Sequence, residues 1–321
     1  MTERATEKPC ALVCASHTPL LLDEELADAA VCEQVRGSFE RMREFVCAFQ
    51  PEQIIQFSRD HFHGFHYDNM PSFCVGAAAT SYGDYGTATG DFNVDEDFAV
   101  ALLEAMRAED IDASLSYAMR VDHGFVQLWE TMLSGFADLP IIPVFVNAIG
   151  YPLPTYQRAR LLGEAAGRLA AATGRRVLFA ASGGLSHDPI VPLIRGAGPE
   201  LRDRLTGRTK LSREQQANRE YLVRGAAEQA LRGEGPCRPL NPEWDSDILR
   251  LLRERDWATI DAFTAEQVRA AAGAGGNEVL AWGAAASAMA AAAGAFQVVQ
   301  EDYVAIPGWT AGLAHLSAKP A

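Results

Sequence analysis

The sequence predicts an α/β fold, a single domain over residues 1–321 with a central mixed, largely parallel sheet flanked by helices and a helical C-terminal third. Three observations predict it. Short apolar, β-branched runs such as IIPVFVN (141–147) and RVLFAAS (176–182) have the length and composition of strands buried on both faces. Amphipathic stretches of helical length separate such runs. The hydrophobic fraction is 48% over 321 residues, enough for one large domain at roughly 150 residues per domain, and disorder is excluded.

Taken in order, ALVCA (11–15) reads as the first strand and Asp23 to Phe49 as a long amphipathic helix. QIIQFS (53–58) is the second strand, ended by a polar, aromatic loop. Asp95 to Arg107 reads as helix, SLSYAM (114–119) as strand and Phe125 to Phe136 as helix. After IIPVFVN comes a helix from Thr155 to Ala172, then RVLFAAS. Beyond Asp188 the pattern is helical: Arg213 to Leu231, Trp244 to Arg253, Ala265 to Ala272 and Asn277 to Phe296. The apolar run Val279 to Phe296 is mostly Ala and Gly with Glu278 at its head, so it reads as a buried helix rather than a membrane span.

Composition narrows the function. Asp and Glu number 42 against 28 Lys and Arg, a net charge of -14, which disfavours nucleic acid and anionic lipid as partners. A negatively charged substrate therefore needs a local basic pocket. Six cysteines stand scattered without a CxxC pair, as expected of free thiols in a reducing compartment. The charged opening MTERATEKPC and the short apolar run behind it do not make a signal sequence, so the expected location is the cytoplasm.

The seven histidines carry the chemical signal. His17 lies just after the first strand, His61 after the second, His123 after SLSYAM, and His187 after RVLFAAS across Gly183-Gly184. Ligands of open α/β sheets bind outside the carboxyl ends of the strands, so four sequence-distant imidazoles can converge on one crevice. Converging imidazoles point to a metal, to acid/base chemistry, or to both. Zinc-finger spacing is absent. Two His and one carboxylate with open positions suit Fe(II) and oxygen activation, and from spacing alone a His/His/Glu zinc hydrolase stays open.

Four segments, ASHTPL (15–20), FSRDHFHGFHYDNMPSFCVG (57–76), VDHGFVQ (121–127) and ASGGLSHDP (181–189), together resemble the class III extradiol ring-cleavage dioxygenases, the superfamily of protocatechuate 4,5-dioxygenase. LPTYQRARLLGEA (153–165), LNPEWD (240–245) and IPGWTAGLAHLSA (306–317) extend the likeness over nearly the whole chain. The resemblance is strongest to members that open catechols bearing a short carboxylated side chain, such as 2,3-dihydroxyphenylpropionate. It implies Fe(II) as cofactor, O2 and a small catechol as partners, and a homo-oligomer. It implies His17 and His61 as iron ligands, with His63 and His66 as rivals nearby. It implies Glu278, in AGAGGNEVLAW (272–282), as the carboxylate ligand, with Glu243 and Asp245 as alternatives whose other role is to start a helix. It implies His123 and His187 as the acid/base pair. Asp122 and Asp188 adjoin these two and are candidates to tune them; Asp60 is a candidate to orient a ligand. Arg59, Arg120 and Arg158 are candidates for the substrate carboxylate. A binding protein of the same fold that lacks catalysis is a further alternative, against which both His123 and His187 speak.

Overall fold

A computed structural model describes residues 10–321, so the charged opening segment lies outside the described residues. The first part alternates strand and helix: β1 (Cys10–Ala15), α1 (Ala29–Phe49), β2 (Gln53–Ser58), β3 (Phe73–Gly76), β4 (Ala79–Ser81), β5 (Gly90–Asp91), α2 (Glu96–Ala108), β6 (Ser114–Ser116), β7 (Met119–Val121), α3 (His123–Leu133), β8 (Ile141–Val146), α4 (Tyr156–Thr173) and β9 (Val177–Ser182). Helices follow: α5 (Pro199–Leu205), α6 (Arg213–Leu231), α7 (Pro242–Glu254), α8 (Trp257–Asp261), α9 (Ala265–Ala272), a 3-10 turn over Ala274–Glu278, and α10 (Val279–Ala293). A hairpin of β10 (Phe296–Ile306) and β11 (Ala311–Pro320) closes the chain.

Eight strands form the main sheet in the order β10-β11-β1-β9-β2-β8-β3-β6, and β5-β4-β7 form a small second sheet. Pairings β1–β9, β9–β2 and β2–β8 are parallel, while β11, β10 and β3 add antiparallel neighbours. Every residue of β1, β2, β8 and β9 is buried, which is why these segments read as unbroken apolar runs. Alternate side chains serve two cores. Leu12, Ile55, Phe57 and Phe179 pack toward α2, α4 and α10, and Ala11, Val13, Ile54 and Leu178 toward α1 and α3. No helix among the described residues is long and apolar enough to cross a membrane.

Two sequence expectations need correction. SLSYAM is two strands, not one: β6 joins the large sheet and the chain re-enters as β7 in the small one. The last stretch is not wholly helical. The helix expected to end at Phe296 ends at Ala293, and β10 begins where it was to stop. β10, half-exposed along most of its length, lacks a regular apolar/polar alternation and follows directly on the Ala-rich run.

That run has a packing reason. α10 lies against α4 so closely that a β-carbon on Gly163 would overlap the carbonyl oxygen of Ala284, and one on Gly167 that of Ala288. Ser287 Oγ then donates to Arg160 O at 2.9 Å across the gap. Small residues on both helices let the backbones touch, and α10 carries Glu278 at its head to the sheet edge. Gly163→Ala is therefore expected to destabilise the fold by about 1–3 kcal/mol through overpacking. Urea unfolding checks this; an unchanged midpoint at unchanged slope would contradict it.

Candidate active site

The carboxyl ends of β1, β2 and β9 deliver, in turn, His17, the Arg59–His61 turn and the Ser182–Gly184 turn that leads to His187. His123 opens α3, which is fastened over β2. Ser58 Oγ donates to Gly124 O at 2.6 Å, and Gln56 bridges Phe125 O and Trp129 Nε1, both at 2.8 Å. The imidazole donors of His17, His61 and His123 all lie within 4.8 Å of one another. His61 stacks on His123 with ring centres 4.2 Å apart, and His17 meets each edge-on.

Each ring is held through Nδ1. That of His17 faces Ser182 Oγ at 2.9 Å, that of His61 faces Asp122 at 3.0 Å, and that of His123 faces Asp84 at 2.6 Å. His187 Nδ1 donates to the Leu185 carbonyl at 2.9 Å, and because that oxygen only accepts, Nδ1 carries the hydrogen. With Nδ1 tied, Nε2 is the nitrogen left for chemistry. His17 Nε2 and His123 Nε2 are buried without any hydrogen-bond partner.

Glu278 completes the group. Its Oε2 accepts from Gly184 N at 2.6 Å and stands 3.5 Å from His17 Nε2; its Oε1 stands 2.7 Å from Arg59 Nε and 3.0 Å from His187 Nε2. The contact with Arg59 is an ion pair without hydrogen-bond alignment, so Oε1 too has no hydrogen-bond partner. Glycines make the space: Gly183, with φ 139°, could carry a β-carbon only against the Glu278 carboxylate, and Gly275 only against the His187 ring. Trp282 Nε1 donates to Gly183 O at 2.9 Å and pins that turn to α10.

The charges follow from burial and neighbours. Burial pushes the His17 imidazole down to about 3, against the pull of Glu278. Burial, then Arg59, holds His61 well below its ordinary value. Burial resists ionisation of Glu278, but Arg59, His187 and His17 outweigh it and hold the carboxyl well below the usual range. His123 goes the other way, because the Asp84 and Asp122 carboxylates overcome burial and raise it. At neutral pH the result is two neutral imidazoles beside one ionised carboxylate.

Of the residues singled out from sequence, His17, His61, His123, His187 and Glu278 come together here. His63 lies behind them: its Nδ1 shares Asp122 at 2.9 Å, and its ring stacks on Tyr82 at 4.5 Å. His66 stands apart, against Gly207 at the end of α5. Asp245 is buried but accepts from Ser186 N, Ser186 Oγ and Tyr303 OH, each at 2.7 Å, while Glu243 is exposed in the first turn of α7. Asp122 supports His61 and His63 rather than the adjoining His123, and Asp188 caps the turn before Glu278 by accepting from Ala274 N at 2.8 Å. Asp60 accepts from the backbone of His63, Gly64 and Phe65 and so shapes the loop. Arg120 covers the Tyr82 ring and Arg158 donates to Asp110 O, neither joining the cluster. Asp84, the true partner of His123, was missed: it lies 39 residues away in a turn with no motif to mark it.

Residues 11–314 match the model of the catalytic LigB subunit of aromatic ring-opening dioxygenase. The chain belongs to this family. It is 42% identical over 309 residues to the 2,3-dihydroxyphenylpropionate/2,3-dihydroxicinnamic acid 1,2-dioxygenase 1 of Pseudomonas putida, covering 96% of this chain and 98% of that one. It is 40% identical to the corresponding protein of Cupriavidus pinatubonensis, covering 98% and 99%, and 41% identical to that of Escherichia coli K12, covering 96% and 98%. The chain is thus an extradiol ring-cleavage dioxygenase by family, a class that acts on small aromatic molecules with O2 and uses a metal.

The chemistry of these donors suits a divalent cation, with His17, His61 and His123 grouped within 4.8 Å and Glu278 3.5 Å from His17. Neutral imidazoles and an ionised carboxylate are the protonation states a cation requires, and the orphaned His17 Nε2 and Glu278 Oε1 are atoms that an ion would satisfy. Asp122 would then act on the metal through His61. Asp122→Asn is expected to weaken divalent-cation binding about 10- to 100-fold. Equilibrium dialysis against Mn(II) under nitrogen measures it, and an unaltered dissociation constant would show that the tether is dispensable.

Proposed function

We propose that this chain opens the ring of a catechol with a short carboxylated side chain, 2,3-dihydroxyphenylpropionate or 2,3-dihydroxycinnamate, beside the diol and with both atoms of O2 incorporated. The product from the first would be 2-hydroxy-6-oxonona-2,4-diene-1,9-dioate. The reading is supported by the names of relatives aligned over nearly their full length. The observation that carries the mechanism is the set of Nδ1-anchored histidines around one buried carboxylate.

In this reading His17, His61 and Glu278 hold Fe(II), which when bound supplies open positions where a diol and O2 are brought into electronic contact. The remaining two histidines handle protons. His187, with its hydrogen fixed on Nδ1 by Leu185 O, offers Nε2 as the base that takes a diol proton. His123, whose proton affinity Asp84 raises, would serve as the acid that donates a proton to a developing oxyanion. Arg59 keeps Glu278 ionised, and the near-complete burial of His17 and His123 excludes bulk water from the reacting atoms. The whole chain, residues 1–321, serves as one functional unit. The free cysteines among the described residues suit the cytoplasm, and exposed Ile190, Tyr221 and Leu222 suit burial in a homo-oligomer.

Protein loaded anaerobically with Fe(II) is expected to consume one O2 per 2,3-dihydroxyphenylpropionate and to prefer it over protocatechuate and catechol in kcat/KM. Chelation should abolish turnover and Fe(II) with ascorbate restore it; full activity with Zn(II) alone would contradict the assignment. The pH profile gives a second test. His123 must be protonated to act, so kcat falls as pH rises through its raised pKa. Asp84→Asn removes the charge that raises it, so the alkaline limb should move to lower pH; a limb that stays in place would remove His123 from the acid role.

A further inference from the structure

The helical insertion after β9 reaches back over the histidine loop. Tyr67 N donates to Leu205 O at 2.8 Å, Gly207 abuts His66, and Arg219 Nη2 on α6 donates to the His61 carbonyl at 3.5 Å. His61 thus faces two ways, its ring toward the cluster and its carbonyl toward Arg219. Its ring and that of His187 are 13% and 11% exposed, against 3% for His17 and 1% for His123, so the cluster meets solvent on the side of these two.

Arg219 is half-buried here, and neither it nor Arg204 on α5 forms an ion pair among the described residues. Of the arginines around them, Arg208, Arg224 and Arg232 pair with carboxylates, while Arg202 and Arg213 do not. The two free cations also feel each other, since burial and then the charge of Arg219 depress Arg204. The field of Arg219 reaches inward to Arg59 and to Tyr85, whose ring packs edge-on against His123. A half-buried guanidinium beside the histidine loop, with a second arginine in its field and no ion pair of its own, describes a place for an anion. Arg59, the candidate drawn from sequence, does not fill this role: it is 3% exposed and paired with Glu278.

We propose that Arg219, backed by Arg204, binds the side-chain carboxylate of the substrate at the mouth of the site. This rests on the carboxylated catechol named above. A guanidinium fork suits a carboxylate in two-point contact, and holding it beside His61 O leaves the diol end of the molecule to the buried histidines.

The test compares kcat/KM for 2,3-dihydroxyphenylpropionate with that for 3-propylcatechol, which lacks the charge, in wild type, Arg219→Gln and Arg219→Lys. The ratio of the two is independent of how much of a variant folds. It is expected to fall about 10- to 100-fold in Arg219→Gln and to recover in part in Arg219→Lys. The inhibition constant of 3-phenylpropionate, a carboxylated ring without the diol, should rise in parallel. A wild-type ratio that survives in Arg219→Gln overturns the assignment and leaves the substrate reading standing. A wild-type ratio near one overturns the substrate reading itself, and the proposal with it.

Discussion

Asp122 has no solvent exposure, yet four donors converge on its two oxygens: the backbone and ring of His61, the ring of His63, and the backbone of Gly124. Burial works against its ionisation, and the imidazoles of His61 and His123 reverse that and hold it well below the carboxylate range. The side chain is at once the cap of α3, the brace of the histidine loop and the orienting partner of His61. An unpaired buried carboxylate would neutralise itself, so the rings and the acid keep one another in place. This mutual constraint fixes where His61 Nε2 points.

The same logic governs the other end of the site. Arg59 is a buried cation, a costly thing unless paired, and its partner is the carboxylate that the cluster needs ionised. Glu278 arrives from the far end of the chain, on a 3-10 turn whose position is set by α10 against α4 and by Trp282 on Gly183. Packing of small residues in a helix pair and the charge state of Glu278 are therefore one problem. The close approach of α4 and α10 brings Glu278 to the sheet edge, and Arg59 keeps it charged there.

Much of this was legible in the sequence because parallel strands announce themselves as apolar runs and place the following residue at a common edge. His17, His61 and His187 follow such runs directly. Glu278 needed the resemblance to a known family, since its turn of Ala and Gly has no periodic pattern. What could not be read are pairings across long separations: Asp84 with His123, Arg59 with Glu278, and Arg219 with His61 O. Each depends on which loop covers which, a property of the assembled sheet and not of local spacing. The C-terminal hairpin was lost for a different reason. β10 (FQVVQEDYVAI) has no clean period-2 pattern, and it begins within three residues of an Ala-rich helix into which its start was absorbed.

The arrangement separates the buried cluster from the half-exposed helices that cover it. The clustered histidines and Glu278 sit at the ends of buried strands and at helix starts fastened to them, where packing and Nδ1 partners hold the rings. The basic mouth sits instead on α5 and α6, a half-exposed pair of helices that the sheet does not need for its core, with Leu205 and Ala227 their only fully buried apolar anchors. Arg219 donates to the backbone carbonyl of His61 and not to a ring of the cluster, so exchanging it need not disturb Asp122 or Glu278. An acidic chain repels a carboxylated ring at long range, so selection has to be local. Under the proposal above, Arg219 and Arg204 would supply that attraction from the covering helices and leave the buried cluster as it is.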